Sequence, residues 1–167
     1  MKICISRRLS ALSALALLTA CATPEPAPAP MTGPRALVAD SGDRQSGSLA
    51  HLYYVSKLAG RRIDNAGTAT FQATQGRGMA LQMTLRDREV AAGETTLTLS
   101  GSTTYAAPIQ AMLGKTCRVE GDVKFQVLPD QRYTVRGRFD ASACAVWLTD
   151  SSGAELPGTR VTASGLK

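Results

Sequence analysis

Apolar and polar residues alternate over residues 117–139, and this alternation constrains the fold more than any other feature of the sequence. The first segment reads CRVEGDVKFQV and the second reads RYTVRGRF. Because successive side chains of a strand point to opposite faces of a sheet, this period of two predicts two half-buried β-strands. The connecting LPDQ, residues 128–131, contains turn-forming residues. We therefore predict a hairpin with one apolar face and one charged face.

Three earlier segments show the same period of two. They are TATFQAT (68–74), MALQMTLR (79–86) and ETTLTLS (94–100), with the turn AAG (91–93) before the last. The residues predicted to point inward are Ala69, Phe71, Ala73, Met79, Leu81, Met83, Leu85, Leu97 and Leu99. Only APIQAMLGK, residues 107–115, resembles a helical turn. Several short strands with little helix predict an all-β fold, a single antiparallel β-sandwich of the immunoglobulin or transthyretin kind.

The N-terminal segment predicts secretion. Lys2, Arg7 and Arg8 precede the apolar run LSALSALALLTA, residues 9–20. A basic start followed by an apolar stretch too short to span a bilayer is typical of a signal peptide. We assign the signal peptide to residues 1–20.

The last residues of this segment, Leu18–Cys21, resemble the lipobox of bacterial lipoproteins. The resemblance implies that Cys21 is lipidated on its sulfur, becomes the new N-terminus and is then acylated on its nitrogen. Each buried CH₂ of an acyl chain contributes about 0.8 kcal/mol, so two or three chains would hold the protein on a membrane. Alanine rather than aspartate at residue 22 implies transport to the outer membrane of a Gram-negative cell, facing the periplasm. The alternative is an ordinary signal peptide cleaved after Ala20, with Cys21 incidental.

Composition predicts a tether after Cys21. Residues 22–30 read ATPEPAPAP, and proline at alternate positions favours an extended polyproline II spacer. Residues 31–48 contain Gly, Ser and Asp without clear periodicity. We therefore predict a lipidated cysteine and linker over residues 21–48, and one folded domain over residues 49–167.

Net charge argues against a nucleic-acid partner. The formal charge of the whole chain is +6, and loss of Lys2, Arg7 and Arg8 with the signal peptide lowers it to +3. Nucleic-acid binding depends mainly on many cationic contacts to phosphates, so this small excess does not support it.

The cysteines predict one disulfide. Cys4 lies in the signal peptide and Cys21 is the predicted lipid site, which leaves Cys117 and Cys144 in the folded part. Cys117 is in phase with the apolar face of its strand, and Cys144 is in phase with Val146 and Leu148. Two thiols that point inward in an oxidising compartment most simply pair.

Several strand and turn segments carry a family resemblance. VSKLAGRRIDN (55–65), REVAAGETTLTLSG (88–101), VEGDVKFQVLPDQRYTVRG (119–137) and CAVWLTD (144–150) resemble small bacterial lipoproteins with a transthyretin-like or PEGA-like sandwich. The resemblance implies a fold more than a function. Pro129 departs from that pattern, which often has glycine at this turn.

Catalytic chemistry is poorly represented in the sequence. A catalytic triad or a histidine metal site needs histidine, and the chain contains only His51, which we place at the boundary between tether and first strand. Glu120 and Asp122 share a strand face, but neighbouring Arg and Lys residues make a cross-strand charge ladder the simpler interpretation. We therefore expect no enzyme activity, no cofactor and no metal.

The polar face of the predicted hairpin contains candidate contact residues. Arg132, Arg136 and Arg138, with Arg118 from the other strand, would bind carboxylates or phosphates of an anionic glycan, of lipid headgroups or of an acidic envelope protein. The alternative is a solvated strand face. Trp147 is out of phase with Cys144, so it is either an exposed contact or turned inward by a bulge, and we expect burial.

These features together predict a noncatalytic binding or scaffold module of the cell envelope. The partner would be the membrane, through the N-terminal lipid, together with an envelope protein or an anionic glycan. Two alternatives are an inhibitor of a cell-wall hydrolase, with SSGAELPG (151–158) as the inserted loop, and a hydrolase of envelope polymers.

Overall fold

A computed structural model describes residues 33–167. The predicted signal peptide, Cys21 and the Pro-rich spacer lie outside the described residues. The described part of the chain contains the following strands and helices: β1 (Arg35–Ala39), β2 (Ser41–Arg44), β3 (Leu49–Leu58), β4 (Arg61–Arg62), α1 (Ala66–Thr74), β5 (Asp87–Ala91), β6 (Gly93–Tyr105), α2 (Pro108–Leu113), β7 (Arg118–Val127), β8 (Arg132–Phe139), β9 (Ala143–Thr149) and β10 (Val161–Ser164). Neither helix in this range is long and apolar enough to cross a membrane.

The strands form two sheets. Sheet A has the order β10-β9-β8-β1-β5, and sheet B has the order β2-β3-β6-β7, with β4 paired to β3. The prediction of a mostly β protein is confirmed. The prediction of purely antiparallel pairing is wrong at one place, because β1 and β8 are parallel, with Leu37 opposite Arg132.

The predicted hairpin of residues 117–139 is wrong, although both of its strands exist. β7 pairs with β6 in sheet B, whereas β8 pairs with β1 and β9 in sheet A. The turn at residues 128–131 therefore takes the chain from one sheet to the other. The alternation specifies which face of each strand is buried, and this holds equally whether the two strands pair or lie in separate sheets that share a core.

The apolar faces of β7 and β8 meet in one core between the sheets. Val119, Val123 and Val127 of β7 are buried in the same cluster as Tyr133 and Val135 of β8. Tyr53 packs in this core against Phe139, with ring centroids 5.2 Å apart. Its ring also lies on Gly137, where a Cβ atom would collide with it.

The cysteine pair links the two sheets. Cys117 immediately precedes β7 in sheet B, and Cys144 lies in β9 of sheet A. Their Cα atoms are 6.2 Å apart, and the structure joins their sulfur atoms. Both side chains are buried and lie at disulfide distance, so the prediction that the two thiols point inward and face each other is confirmed.

Residues 68–74 were predicted to be a strand, and this is wrong, because they lie in α1. The side chain of Asn65 caps the helix by accepting a hydrogen bond from the Thr68 N–H at 3.1 Å. An N-cap asparagine followed by alanines favours a helix, and the short Ala/Thr alternation does not exclude one. Phe71, predicted inward, is 63% exposed.

Residues 79–86 also contain no strand. Leu81 is buried against Ala50 and Leu52 on the outer face of sheet B, as part of a second, smaller core. Met79 and Leu85, which were predicted to point inward with it, are exposed. The segment crosses the sheet as a loop, so only part of its apolar surface is covered.

The predicted linker extends too far. Residues 35–44, assigned to the tether, form β1 and β2. β1 lies between β8 and β5, and its Val38 is fully buried. The folded domain therefore includes these strands. β1 was missed because residues 36–39 are all apolar, so its sequence does not alternate. Residues 107–115, in contrast, contain α2 as predicted.

Candidate functional site

The four candidate arginines do not form one stripe. Arg132, Arg136 and Arg138 lie on the outward face of β8 in sheet A, whereas Arg118 lies on β7 in sheet B. The prediction that Arg118 joins the other three is therefore wrong. It depended on the hairpin, and the chain crosses between sheets instead.

Acidic neighbours neutralise two of the three arginines on sheet A. Arg132 pairs with Asp87 of β5 at 2.9 Å, and Arg138 pairs with Asp140 at 3.3 Å. Arg136 makes no ion pair within residues 33–167. Opposite charges paired on a solvated surface leave little attraction for an external anion.

Trp147 also lies on the outward face of sheet A, opposite Arg136 in the β8–β9 register. It is half-buried, because the guanidinium of Arg160 lies 4.1 Å from its ring centroid. Arg160 is held in turn by Glu155 of the following loop. Trp147 is therefore covered only in part, by a cation–π contact on the outward face and without a bulge, and the expected burial in the core is wrong.

The loop at 151–158 folds back against β9. Glu155 forms a β-bridge with Thr149, and Leu156 is partly buried against the main core. The side chain of Asp150 accepts hydrogen bonds from the backbone N–H groups of Ser152 and Ala154. These contacts hold the loop in one conformation next to β9, although residues 151–155 are exposed.

A groove on the outer face of sheet B holds a different set of charges. We call it the sheet B groove. It has a volume of about 740 Å³ between α1 and strands β3, β6 and β7. Its lining residues include Lys57, Arg62, Phe71, Ser102, Arg118 and Glu120.

The position of α1 defines one wall of this groove. The helix packs closely on β3 at Gly67, where an added Cβ would lie 2.9 Å from the Tyr54 hydroxyl oxygen. Asn65 fixes the start of the helix, and its amide also donates to the Ile63 carbonyl at 3.0 Å. The exposed ring of Phe71 therefore projects at the edge of the groove.

The charge balance of the sheet B groove is positive. Glu120 pairs with Lys57 at 3.1 Å. Arg62 and Arg118 have no ion-pair partner in the part of the chain that the structure describes, and both are exposed. Two guanidinium groups are thus available here for a carboxylate or phosphate.

A buried ion pair lies behind α1, at the link between β1 and β2. The Asp40 carboxylate is fully buried and accepts hydrogen bonds from Arg88 at 2.6 Å, from the Ala66 N–H at 2.8 Å and from the Val55 N–H at 3.2 Å. Burial raises the pKa of Asp40 to about 6, against the opposing effects of Arg88 and the two N–H groups. These contacts join both sheets and the helix. Sequence reasoning missed this pair, because Asp40 lies in the predicted linker.

Metal-binding side chains are not clustered in the part of the chain that the structure describes. Within residues 33–167 there is no group of three His, Cys, Asp or Glu side chains that would hold a metal ion. His51 is half-buried near the start of β3, but β1 and β2 precede this strand, so it does not lie at a domain boundary as predicted. Its ring centroid lies 5.0 Å from that of Phe139. Burial lowers the pKa of His51.

The sheet B groove is thus the strongest candidate for ligand binding. Its Arg118 was a candidate from the sequence, but Arg62 was not. Their proximity depends on where β4 and β7 lie on the sheet, which no local pattern encodes. No family model, curated protein or solved structure matches the chain.

Proposed function

We propose that the protein is a noncatalytic binding module of the cell envelope, held on the periplasmic side of the outer membrane through lipidated Cys21. Its ligand is an anionic component of the envelope, and the binding site is the sheet B groove. The anchor is supported by the lipobox-like residues Leu18–Cys21. Confinement on a membrane would raise the effective concentration of a neighbouring ligand.

One observation carries the choice of the groove. Arg62 and Arg118 face the same groove without acidic partners among residues 33–167, whereas Arg132 and Arg138 on sheet A are already paired. The planar guanidinium group of an arginine can donate two parallel hydrogen bonds to two oxygens of a carboxylate or phosphate. These contacts are strong because the two groups also carry opposite charges. Hydroxyl groups such as that of Ser102 line the same groove and supply further donors.

The fold belongs to this proposal as well. We infer that the two sheets form a sandwich of the immunoglobulin or transthyretin kind. The shared core between the sheets and the cysteine pair that links them support this inference. The parallel β1–β8 pair and α1 would be additions to such a sandwich.

Charge reversal in the groove tests the ligand. We expect Arg62→Glu/Arg118→Glu to weaken binding to polygalacturonate and to polyphosphate at least tenfold, since two attractive contacts become repulsive. The full chain carrying Cys21→Ala, secreted and purified without detergent, would be titrated with each polymer by calorimetry. The two polymers distinguish a carboxylate ligand from a phosphate ligand.

The matched control is Arg136→Glu/Arg138→Glu, which changes the net charge equally on sheet A. We expect this variant to bind both polymers within about threefold of the unsubstituted chain, because a change in overall charge acts only weakly at physiological salt. If this control loses binding and the groove variant keeps it, the site is the arginine face of sheet A. If neither polymer binds the unsubstituted chain, the anionic ligand is abandoned.

The anchor is tested separately. We expect Cys21→Ala to abolish incorporation of radiolabelled palmitate and to move the protein from the outer-membrane fraction to the soluble periplasmic fraction, because no acyl chain is attached. Cys4→Ala, in the predicted signal peptide, is the matched control and leaves labelling unchanged. Membrane association that persists without Cys21 would contradict a lipid anchor.

A further inference from the structure

A second groove adjoins the sheet B groove, and it is apolar. It has a volume of about 480 Å³ and lies between the C-terminal half of α1 and the start of α2. The apolar residues that line it include Phe71, Tyr105, Ala106, Pro108 and Ala111, and none of its lining residues is charged. We call it the α1–α2 groove.

The two grooves are continuous at α1. Phe71 and Thr104 line both of them, so one path leads from the guanidinium groups of Arg62 and Arg118 across the Phe71 ring into apolar surface. Phe71 is 63% exposed, which is unusual for a large aromatic side chain on a helix whose other face is buried. Each groove lies in the range of roughly 300–1,000 Å³ typical of small-molecule sites.

We propose that the two grooves bind one anionic amphiphile, with its phosphate or carboxylate head at Arg62 and Arg118 and its apolar chain in the α1–α2 groove. This inference rests on the proposed function, because it names the class of ligand for the same site. The positive charges of Arg62 and Arg118 favour a negatively charged head. The uncharged lining of the α1–α2 groove favours an apolar chain. A purely polar glycan would leave the α1–α2 groove unoccupied.

The dependence of affinity on the length of the ligand's alkyl chain distinguishes an amphiphile from a simple anion. Each methylene buried from water tightens binding by up to roughly fourfold. We therefore expect octyl phosphate to bind at least tenfold more tightly than ethyl phosphate. We expect octyl phosphocholine, which has the same chain and no net charge, to bind at least tenfold more weakly than octyl phosphate.

The measurement is calorimetric titration of the secreted full chain carrying Cys21→Ala, with each compound below its micelle-forming concentration. Octanoate is titrated as well, so that the affinity for a carboxylate head can be compared with the affinity for a phosphate head. Tighter binding of octyl phosphate points to a phosphorylated lipid, and tighter binding of octanoate points to a fatty acid. Either result supports the proposed class of ligand.

Two variants assign the parts of the ligand to the two grooves. Phe71→Ser should reduce the affinity for octyl phosphate at least fivefold and leave polygalacturonate binding unchanged. Its matched control is Ile109→Ser, which removes another exposed apolar side chain, 57% exposed on α2 but outside both groove linings. Arg62→Glu/Arg118→Glu should weaken binding of octyl phosphate and of both polymers.

The outcomes distinguish the two proposals. If the affinity of the unsubstituted chain does not depend on alkyl length, the amphiphile is overturned and the anion-binding function stands. If octyl phosphocholine binds as tightly as octyl phosphate, or the arginine variant leaves octyl phosphate binding unchanged, the anionic head is overturned. If Ile109→Ser weakens binding as much as Phe71→Ser, the assignment of the chain to the α1–α2 groove is wrong.

Discussion

Replacing Asp40 by alanine is expected to lower the free energy of unfolding by about 3–5 kcal/mol at pH 7. The carboxylate is fully buried and is the ion-pair partner of Arg88, whose side chain is only 12% exposed. Alanine leaves this guanidinium charge without its partner. It also leaves the N–H groups of Val55 and Ala66 without their acceptor. An unpaired buried charge costs far more than the pair contributes.

Urea unfolding followed by tryptophan fluorescence measures this change. Asp64→Ala is the matched control, since Asp64 pairs with Arg86 at 2.9 Å on the surface, with both side chains about half exposed. We expect the control to cost less than about 1 kcal/mol. Arg88→Met added to Asp40→Ala should restore part of the loss, because no unpaired charge then remains. An Asp40→Ala protein within 1 kcal/mol of the original would contradict the structural role of the pair.

The pH dependence of stability is a second readout of the same carboxylate. Burial raises the pKa of Asp40 in the folded protein to about 6, from 3.8. Between about pH 4 and pH 6 the folded state therefore holds a proton that the unfolded chain has released. The contribution of Asp40 to stability is full below this window and falls by up to about 3 kcal/mol as the pH rises through it. Asp40→Ala should remove this fall.

The disulfide is expected to have the second largest effect. Cys117→Ala/Cys144→Ala should lower the free energy of unfolding by about 2–5 kcal/mol, because the unfolded chain gains freedom when the cross-link between residues 27 positions apart is lost. Alanine is preferable to serine, since both side chains are buried in the apolar core and a hydroxyl group there would add its own cost.

Unfolding in urea with and without dithiothreitol tests the disulfide. The reductant should shift the unfolding midpoint of the original chain to lower urea and leave the double alanine variant unaffected. The matched control is Cys21→Ala, which keeps Cys117 and Cys144 and should respond to the reductant as the original chain does. Equal midpoints for the original chain in both conditions would show that Cys117 and Cys144 do not stabilise the protein by pairing.

The sequence was most informative where strands have one apolar face. The alternation in β7 and β8 identified both strands and the buried face of each, and Leu97 and Leu99 of β6 are fully buried as predicted. The alternation did not predict which strands pair, because it indicates which face of a strand is buried and contains no information about the neighbouring strand in the sheet. The error at β7 and β8 then placed Arg118 beside the wrong arginines.

Short or capped segments were predicted less well. β1 has apolar residues at every position from 36 to 39, so it lacks the polar–apolar alternation that marks a half-buried strand. α1 reads as an alternating segment, but Asn65 begins a helix there and Gly67 lets it approach Tyr54. Arg62 reaches the groove because β4 pairs with β3, and no local pattern predicts this pairing. Only one arginine of the candidate cationic pair was therefore identified from the sequence.

The parallel pairing of β1 with β8 has a consequence for how the protein folds. Leu37, near the start of the described chain, lies opposite Arg132, near its end. Contacts between residues so distant in sequence close a long loop before they contribute any stability, which slows folding. The middle of sheet A therefore stays open until β8 has been synthesised. Under the proposed secretion, late closure would be compatible with passage of the chain through a secretion channel in an extended state.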